Sequence, residues 1–345
     1  MPDIVLLVDG VEYSGWKSVE VRRDIERLAA TFYLEVTRKE PFPIAMASAC
    51  ELFLDGEKVI SGYVDAAQFA ISSDAHTVAV GGRDKTGDLV DCTAMNDAQE
   101  FTDIGFAALI GKIVSPFGIG AQVKVEAEKF GRFSLQQETA WEAIERACRL
   151  RGCFANTTAE GDIIIEPFAE RTADVSLTLG ENVKEATAEY DYAGRYSDYI
   201  ARGQQAGTDF IFGEAAAAPS GKARDLKVKR YRPLVVLAEG QVSIAVAKER
   251  AQWEAAVRAA RSVSINVTVQ GWRQKPGGRL WRINELVRCD LSAVNINEEM
   301  LIKDVSFRVD DSGGTVTTLG LTRPDAYQRQ PDLQEEPAGM DFWFL

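Results

Sequence analysis

The feature that most constrains this chain is a two-residue turn signal set between short alternating runs. Ile4–Val8 meets Asp9-Gly10 before Val11–Tyr13, and Glu51–Leu54 meets Asp55-Gly56 before Lys58–Val64. Asp-Gly suits a type I′ hairpin turn, in which both central residues take positive φ. Val19–Arg23 and Thr31–Thr37 are alternating or β-branched runs of strand length, and Phe69–Ile71 and Thr77–Val80 flank the polar turn Ser72-Ser73-Asp74. Strands at this spacing predict a small antiparallel β-barrel or sandwich over residues 1–92.

The texture changes after Cys92. Thr102–Val114 carries Phe106, Leu109, Ile110 and Ile113 on one helical face. Ser134 and Gln137 read as a capping box ahead of a second helix, with Trp141, Ile144, Cys148 and Arg151 at three- to four-residue intervals and Gly152 at the C-terminal cap. Ile163–Glu166 returns to strand after the Gly161-Asp162 turn, so residues 93–180 read as a middle α+β domain. β texture resumes over 181–327, in Ala186–Tyr192, Tyr196–Arg202, Ser264–Val269, Leu280–Ile283, Leu286–Cys289, Leu301–Val309 and Thr315–Leu321. A helical excursion near 241–261 places Val242, Val246, Trp253, Val257 and Ala260 on one stripe, and Gly203–Asp225 reads as a loop. A Pro- and Glu-rich tail, 328–345, ends in Phe342, Trp343, Phe344 and Leu345.

An internal echo links the two β regions. Phe69–Val78 reads FAISSDAHTV and Phe307–Val316 reads FRVDDSGGTV, each strand, polar turn, strand, and each is followed by an Arg and an Asp. It falls at the end of both β regions, where a duplicated barrel would place it. The predicted fold class is therefore α+β, mainly β: two similar small antiparallel β-barrels, a middle α+β domain and a helical excursion.

Catalytic chemistry is hard to place. The only histidine, His76, sits in a predicted hairpin turn, and neither a G-x-S-x-G elbow nor an H-E-x-x-H pair occurs. Near Gly213–Lys222 a phosphate loop fails, because Ala216 stands where its first glycine is needed and Ala223 replaces the metal-binding hydroxyl. Asp84, Asp88 and Asp91 would share one face if helical and could then hold a cation, but flanking glycines favour a turn-rich connector. The five cysteines, Cys50, Cys92, Cys148, Cys153 and Cys289, follow no metal or redox spacing and read as buried free thiols. No catalytic, cofactor-binding or metal residue is expected, and no cofactor.

Charge narrows the partners. Fifty-two acidic against 39 basic residues give a formal −13, which argues against a sequence-independent grip on nucleic acid. The basic group Lys227, Lys229, Arg230 and Arg232 reads as a solvated strand face. The N-terminus has no basic region of a signal peptide, and no apolar run approaches the roughly 18 residues that span a bilayer.

Three stretches together resemble the baseplate hub proteins of Mu-like contractile phage tails, and more distantly the late control protein D family and the N-terminal part of type VI secretion spike proteins. They are VGGRDKTGDLVDCTA (80–94), ETAWEAIERACRLRGCFANTTAEGDIIIEP (138–167), and GGRLWRINELVRCD with EEMLIKDVSFRVDDSGGTVTTLGLTRPDAY (277–290 and 298–327). The resemblance implies a non-enzymatic virion protein of the tail baseplate, assembled in the host cytoplasm. It implies a homotrimer whose two barrels per chain make a pseudo-six-fold ring, joining the tail tube to the trimeric membrane-piercing spike. The six similar surfaces would come from residues near 1–92 and 181–327, with the helices forming an outer or spike-facing layer. Other baseplate proteins would be neighbours, with no membrane insertion and no specific nucleic-acid binding, although DNA would pass through the ring. An acidic lumen would then repel DNA, and Phe342, Trp343, Phe344 and Leu345 would dock on a partner. A tail-associated peptidoglycan hydrolase and a carbohydrate- or receptor-binding module are the alternatives, the latter drawing on Trp16, Trp272 and Trp281.

Overall fold

The computed structural model describes residues 3–37, 44–72, 76–96, 99–204, 220–241, 244–310 and 313–327. The chain divides into two compact units, Met1–Ala188 with Ile265–Thr322, and Glu189–Ser264 with Arg323–Leu345.

The first unit opens with β1 (Ile4–Val8), β2 (Val11–Tyr13), β3 (Ser18–Asp24), β4 (Arg27–Thr37), β5 (Ala49–Leu54), β6 (Glu57–Ile71) and β7 (His76–Asp84). Asp9 and Gly10 have φ of 49° and 80°, and Asp55 and Gly56 have 48° and 74°, the turn conformation their sequence demands. Along β4 the period of two puts Leu28, Ala30, Phe32, Leu34 and Val36 in the core, which fixes its register against β3 and β7. His76 is an exposed first residue of β7, opposite Ile71, and not a turn residue.

The middle segment contains α1 (Gly87–Asp91), β8 (Glu100–Ile104), α2 (Phe106–Val114), β9 (Ala121–Val123), β10 (Phe130–Ser134), α3 (Ala140–Arg151), β11 (Cys153–Thr157) and β12 (Ile163–Pro167). Leu109, Ile110 and Ile113 of α2 and Ala143, Ile144 and Ala147 of α3 share one core with Ile163 and Ile165. Two expectations are corrected here. Residues from Thr102 to Ile104 are strand, because Phe101 and Ile104 bury against β10, and the helix starts only after Gly105. The capping box is Thr139 with Glu142, not Ser134 with Gln137: Ser134 is paired with Glu100 in the sheet and Gln137 has φ 56°. Gly152 does close α3, at φ 66°, where its N–H reaches the Arg149 carbonyl.

After β13 (Arg171–Thr172), β14 (Leu177–Thr178) and β15 (Val183–Tyr190) the chain enters the second unit. There β16 (Asp198–Gln204), β17 (Ser220–Arg224) and β18 (Pro233–Gln241) form a separate sheet, β17-β16-β18, covered by α4 (Ile244–Arg261). Tyr199 and Ala201 meet Val246, Ala247 and Ala251 of the helix. Gly221 is required, since a Cβ there would lie 2.0 Å from the Lys248 nitrogen. Arg195 pairs with Asp225 at 2.6 Å in the interior of this unit. The helical excursion thus brings its own sheet with it. Lys227, Lys229 and Arg230 lie exposed in the β17–β18 connection, not on a strand face.

The chain returns to the first unit through β19 (Val263–Gln270), β20 (Glu285–Asp290), β21 (Glu299–Asp310) and β22 (Gly314–Thr322). Leu280–Ile283 is not a strand: Leu280, Trp281 and Ile283 are all buried without alternation, and only a bridge from Leu280 to Arg273 forms.

These strands make one fourteen-stranded sheet with the path β15-β19-β22-β21-β3-β4-β7-β6-β5-β1-β2, while β20 pairs β21 and also β13 and β14. The fold is mainly β with a few helices. Within the path the order β3-β4-β7-β6-β5-β1 is matched by β15-β19-β22-β21-β20 and then β13 and β14. The same strands appear in the same chain order in both sets, and the second unit is inserted between β15 and β19. The copies differ at one end, where β1 pairs β5 antiparallel but β13 and β14 pair β20 parallel.

Candidate functional site

The polar residues singled out from sequence are spent on holding the first unit together. Asp84, at the end of β7, is buried. Its carboxylate accepts from the Ala30 N–H (2.9 Å), from the Thr86 N–H (3.0 Å) and hydroxyl (2.5 Å), and from the Thr157 hydroxyl (2.6 Å). Burial pushes the Asp84 carboxyl above its ordinary range, against the pull of these donors. Nearby, Arg23 donates to the carbonyls of Thr157 (2.9 Å) and Val59. Gly161, at φ 80°, brings the β11–β12 turn so close that a Cβ would sit 2.6 Å from the Ser61 carbonyl oxygen.

The other two aspartates of the trio go elsewhere. Arg83 donates to Asp65 at 2.7 Å and to both oxygens of Asp91 at 3.0 and 2.7 Å, so Asp91 is held below the usual carboxylate range by that hydrogen-bonded guanidinium. Asp88 stands in the first turn of α1. The glycine-flanked segment is therefore a one-turn helix whose aspartates diverge. Among the described residues no group of three His, Cys, Asp or Glu is placed to hold a metal ion.

The cysteines are free, and all but Cys92 are buried. Burial pushes the Cys50 and Cys289 thiols up to about 12, and the contact with Cys153 raises Cys148 further above the ordinary range than burial alone. Cys92 departs from the sequence expectation by being exposed. Trp16, Trp272 and Trp281 are core residues, at 5%, 2% and 3% exposure, so they form no aromatic binding face. Phe342, Trp343, Phe344 and Leu345 lie outside the described residues, as do residues 205–219 of the expected loop.

What remains for function is surface, and the echo marks where. Both echoed segments are antiparallel hairpins, β6–β7 and β21–β22, though Phe69 pairs with Val78 whereas Phe307 pairs with Thr317, one place on from Val316. Phe307 and Val309 are 3% and 8% exposed, while their echoes Phe69 and Ile71 are 57% and 78% exposed. β3 pairs with β21 from Asp304↔Asp24 to Val309↔Val19, and on the sheet face the Phe307 ring packs edge-on against Trp272, with 6.5 Å between centroids. The sequence had matched these positions; the unequal burial could not be seen there.

Family models match in three stretches, with residues 168–242 between the second and the third. They are the N-terminal domain of Mu phage baseplate assembly protein GpP-like proteins (residues 3–84), the second domain of gp44-like baseplate hub proteins (86–167), and the fourth domain of Mu phage baseplate assembly protein GpP (243–330). The baseplate hub protein gp44 of Escherichia phage Mu is 30% identical over 337 residues, 94% of this chain and 88% of the relative. The 43 kDa tail protein of prophage MuSo2 from Shewanella oneidensis superposes with a TM-score of 0.86 at 32% identity, over 95% of this chain and 99% of that one. A tail protein from Neisseria meningitidis MC58 has the same fold, with a TM-score of 0.81 at 19% identity over 96% and 99% of the two chains. A duplicated strand set, matched over its first copy and over the β19–β22 part of its second by baseplate domains, defines a structural protein of a phage tail baseplate. The chain belongs to the family of Mu-type baseplate hub proteins, of which gp44 is a member.

Proposed function

We propose that this hub protein acts without catalysis, as a homotrimeric ring in which the two like strand sets of each chain supply six similar surfaces around a pseudo-six-fold axis. One observation carries the reading: the strand order β3-β4-β7-β6-β5 recurs as β15-β19-β22-β21-β20. A trimer of duplicated chains meets a hexameric tail tube on matched surfaces and a trimeric membrane-piercing spike on its true three-fold axis. Residues 1–92 and 181–327 are the two halves of this reading, each curling toward a small barrel, with 93–180 as the middle domain between them. The helices of the middle domain and α4 form the outer or spike-facing layer.

The chain's formal −13 suits a ring whose lumen repels passing DNA. No helix of the described residues is long and apolar enough to cross a membrane. In this reading the protein assembles in the host cytoplasm and resides in the virion tail, among tube, spike and other baseplate proteins. The tail 328–345, ending in Phe342, Trp343, Phe344 and Leu345, docks on one of them.

Native mass measurement with negative-stain imaging, with and without the spike protein, tests the ring. A trimer with a central hole is expected, and a monomer at micromolar concentration in both conditions would overturn it. Peptidoglycan zymography should show no cleared band, and a band would revive the hydrolase reading. Deleting residues 329–345 should weaken spike or tube binding if the tail docks there.

A further inference from the structure

The sheet of the second unit is covered on one side only. α4 packs on the face that carries Tyr199 and Ala201, with Leu234 and Val236 partly buried against the same cluster. The period of two then turns Val235 and Leu237 of β18 to the other face, where they are 48% and 78% exposed. In register, Ile200 lies between Lys222 and Val235, and Arg202 lies beside Leu237. An apolar strip flanked by bases is therefore left uncovered.

At one end of this sheet the β17–β18 connection continues the pattern. It folds back on the turn before β16: the Ser197 N–H donates to the Arg232 carbonyl (2.8 Å), and the Asp225 N–H to the Ser197 carbonyl (3.1 Å). Leu226 and Tyr231 are both 82% exposed, and Lys227, Lys229 and Arg230 between them are exposed too. Two acids nearby are already engaged, Asp225 with Arg195 at 2.6 Å and Asp198 with Arg224 at 3.3 Å. A basic, apolar surface thus stands on a chain of formal charge −13.

The same unit holds a segment of opposite character. Its turn Pro324–Tyr327 packs against α4, and the chain continues from there through residues 328–345. That segment carries Asp332, Glu335, Glu336 and Asp341 against the single base Arg329, followed by Phe342, Trp343, Phe344 and Leu345. Fully extended it reaches roughly 60 Å, whereas three strands are only about 10 Å across. Tethering raises its concentration at the face to about the millimolar range. A free polyanion such as DNA lacks that advantage and meets a net acidic chain.

We infer that, before a partner arrives, residues 328–345 lie on this face of their own chain, with the acids against the bases and Phe342–Leu345 over Ile200, Val235 and Leu237. This goes beyond the tail docking proposed above, because a spike or tube protein that takes the tail must first draw it off this face.

Hydrogen exchange on the full chain tests the contact. In free wild type at low salt, amides of 332–341 should exchange at least about tenfold more slowly than in a variant combining Lys227→Glu, Lys229→Glu and Arg230→Glu. Adding Glu335→Lys and Glu336→Lys to that variant should restore the slow exchange. If the triple variant misfolds, Leu237→Asp serves in its place and should also free the tail. Protection that these variants leave unchanged overturns the inference, and protection lost on dilution assigns the tail to a second copy and overturns it too. An unprotected wild-type tail, with a duplex DNA gel shift that the triple variant abolishes, gives the face to nucleic acid instead. An unprotected tail whose deletion still weakens spike or tube binding sinks this contact and leaves the partner docking standing.

Discussion

The carboxylate of Asp84 accepts a 2.6 Å hydrogen bond from the hydroxyl of Thr157, 73 residues farther along the chain. This bond ties the last strand of the first β region to the β11–β12 hairpin of the middle segment. Replacing Asp84 by Ala leaves the Ala30 N–H and the Thr86 N–H and hydroxyl without their acceptor in the interior, and leaves the Thr157 hydroxyl only the Thr158 carbonyl at 3.2 Å. A loss of about 3 kcal/mol is expected. Denaturant unfolding should show it as a lower midpoint, and a change within error would mean water replaces the carboxylate.

Two adjacent glycines of the VGGRDK stretch should behave differently. A Cβ on Gly82 would lie 2.1 Å from the Tyr63 carbonyl oxygen and 2.7 Å from the Phe32 ring. On Gly81 it would meet nothing nearer than 3.5 Å. Gly82→Ala should therefore cost about 1–3 kcal/mol by forcing the neighbours apart, and Gly81→Ala less than about 0.5 kcal/mol. Equal effects in thermal melts would contradict the packing around β7.

The helix caps give a second paired comparison. Thr139 accepts from the Glu142 N–H while Glu142 accepts from the Thr139 N–H. Thr139→Ala should lower stability by about 1 kcal/mol. Ser134→Ala should be near neutral, because that residue caps nothing and takes part in the sheet through its backbone.

At the β3–β21 junction two acids meet in register, Asp304 opposite Asp24. Burial first, and then Asp24, holds the Asp304 carboxyl above its usual range, with Glu26 adding to the effect and Lys303 and Arg22 opposing it. The unfolded chain releases this proton in the ordinary carboxylate range, near pH 4. The folded chain releases it higher, so folded protein binds more protons in between and stability falls as pH rises through that window. The melting temperature of wild type relative to Asp304→Asn should drop from about pH 4 upward and then level off. A difference that is constant with pH would show that Asp304 titrates normally.

Much of the local structure was legible. The Asp-Gly turns, the strand runs around them, the Gly152 cap and the helix ending at Arg261 follow from chemistry within a few residues. Errors came where tertiary pairing outweighed a local signal. Ser134 and Gln137 have the right residue types for a box, but pairing with β8 holds Ser134 extended. Thr102–Ile104 continues a helical pattern, yet burial of Phe101 and Ile104 against β10 makes it strand.

The sequence by itself determined the strands, their tight turns and the repetition of a hairpin at the end of each β region, because turn type and side-chain alternation are local properties. Its lack of a placed base or metal cage also steered the reading away from chemistry. Only the tertiary structure decided that the two regions join through β3 and β21 into one sheet. It alone separated Phe69 from Phe307, alike in sequence but 57% and 3% exposed. Strand partnership depends on main-chain groups that every residue carries, so no residue pattern specifies which edge is filled.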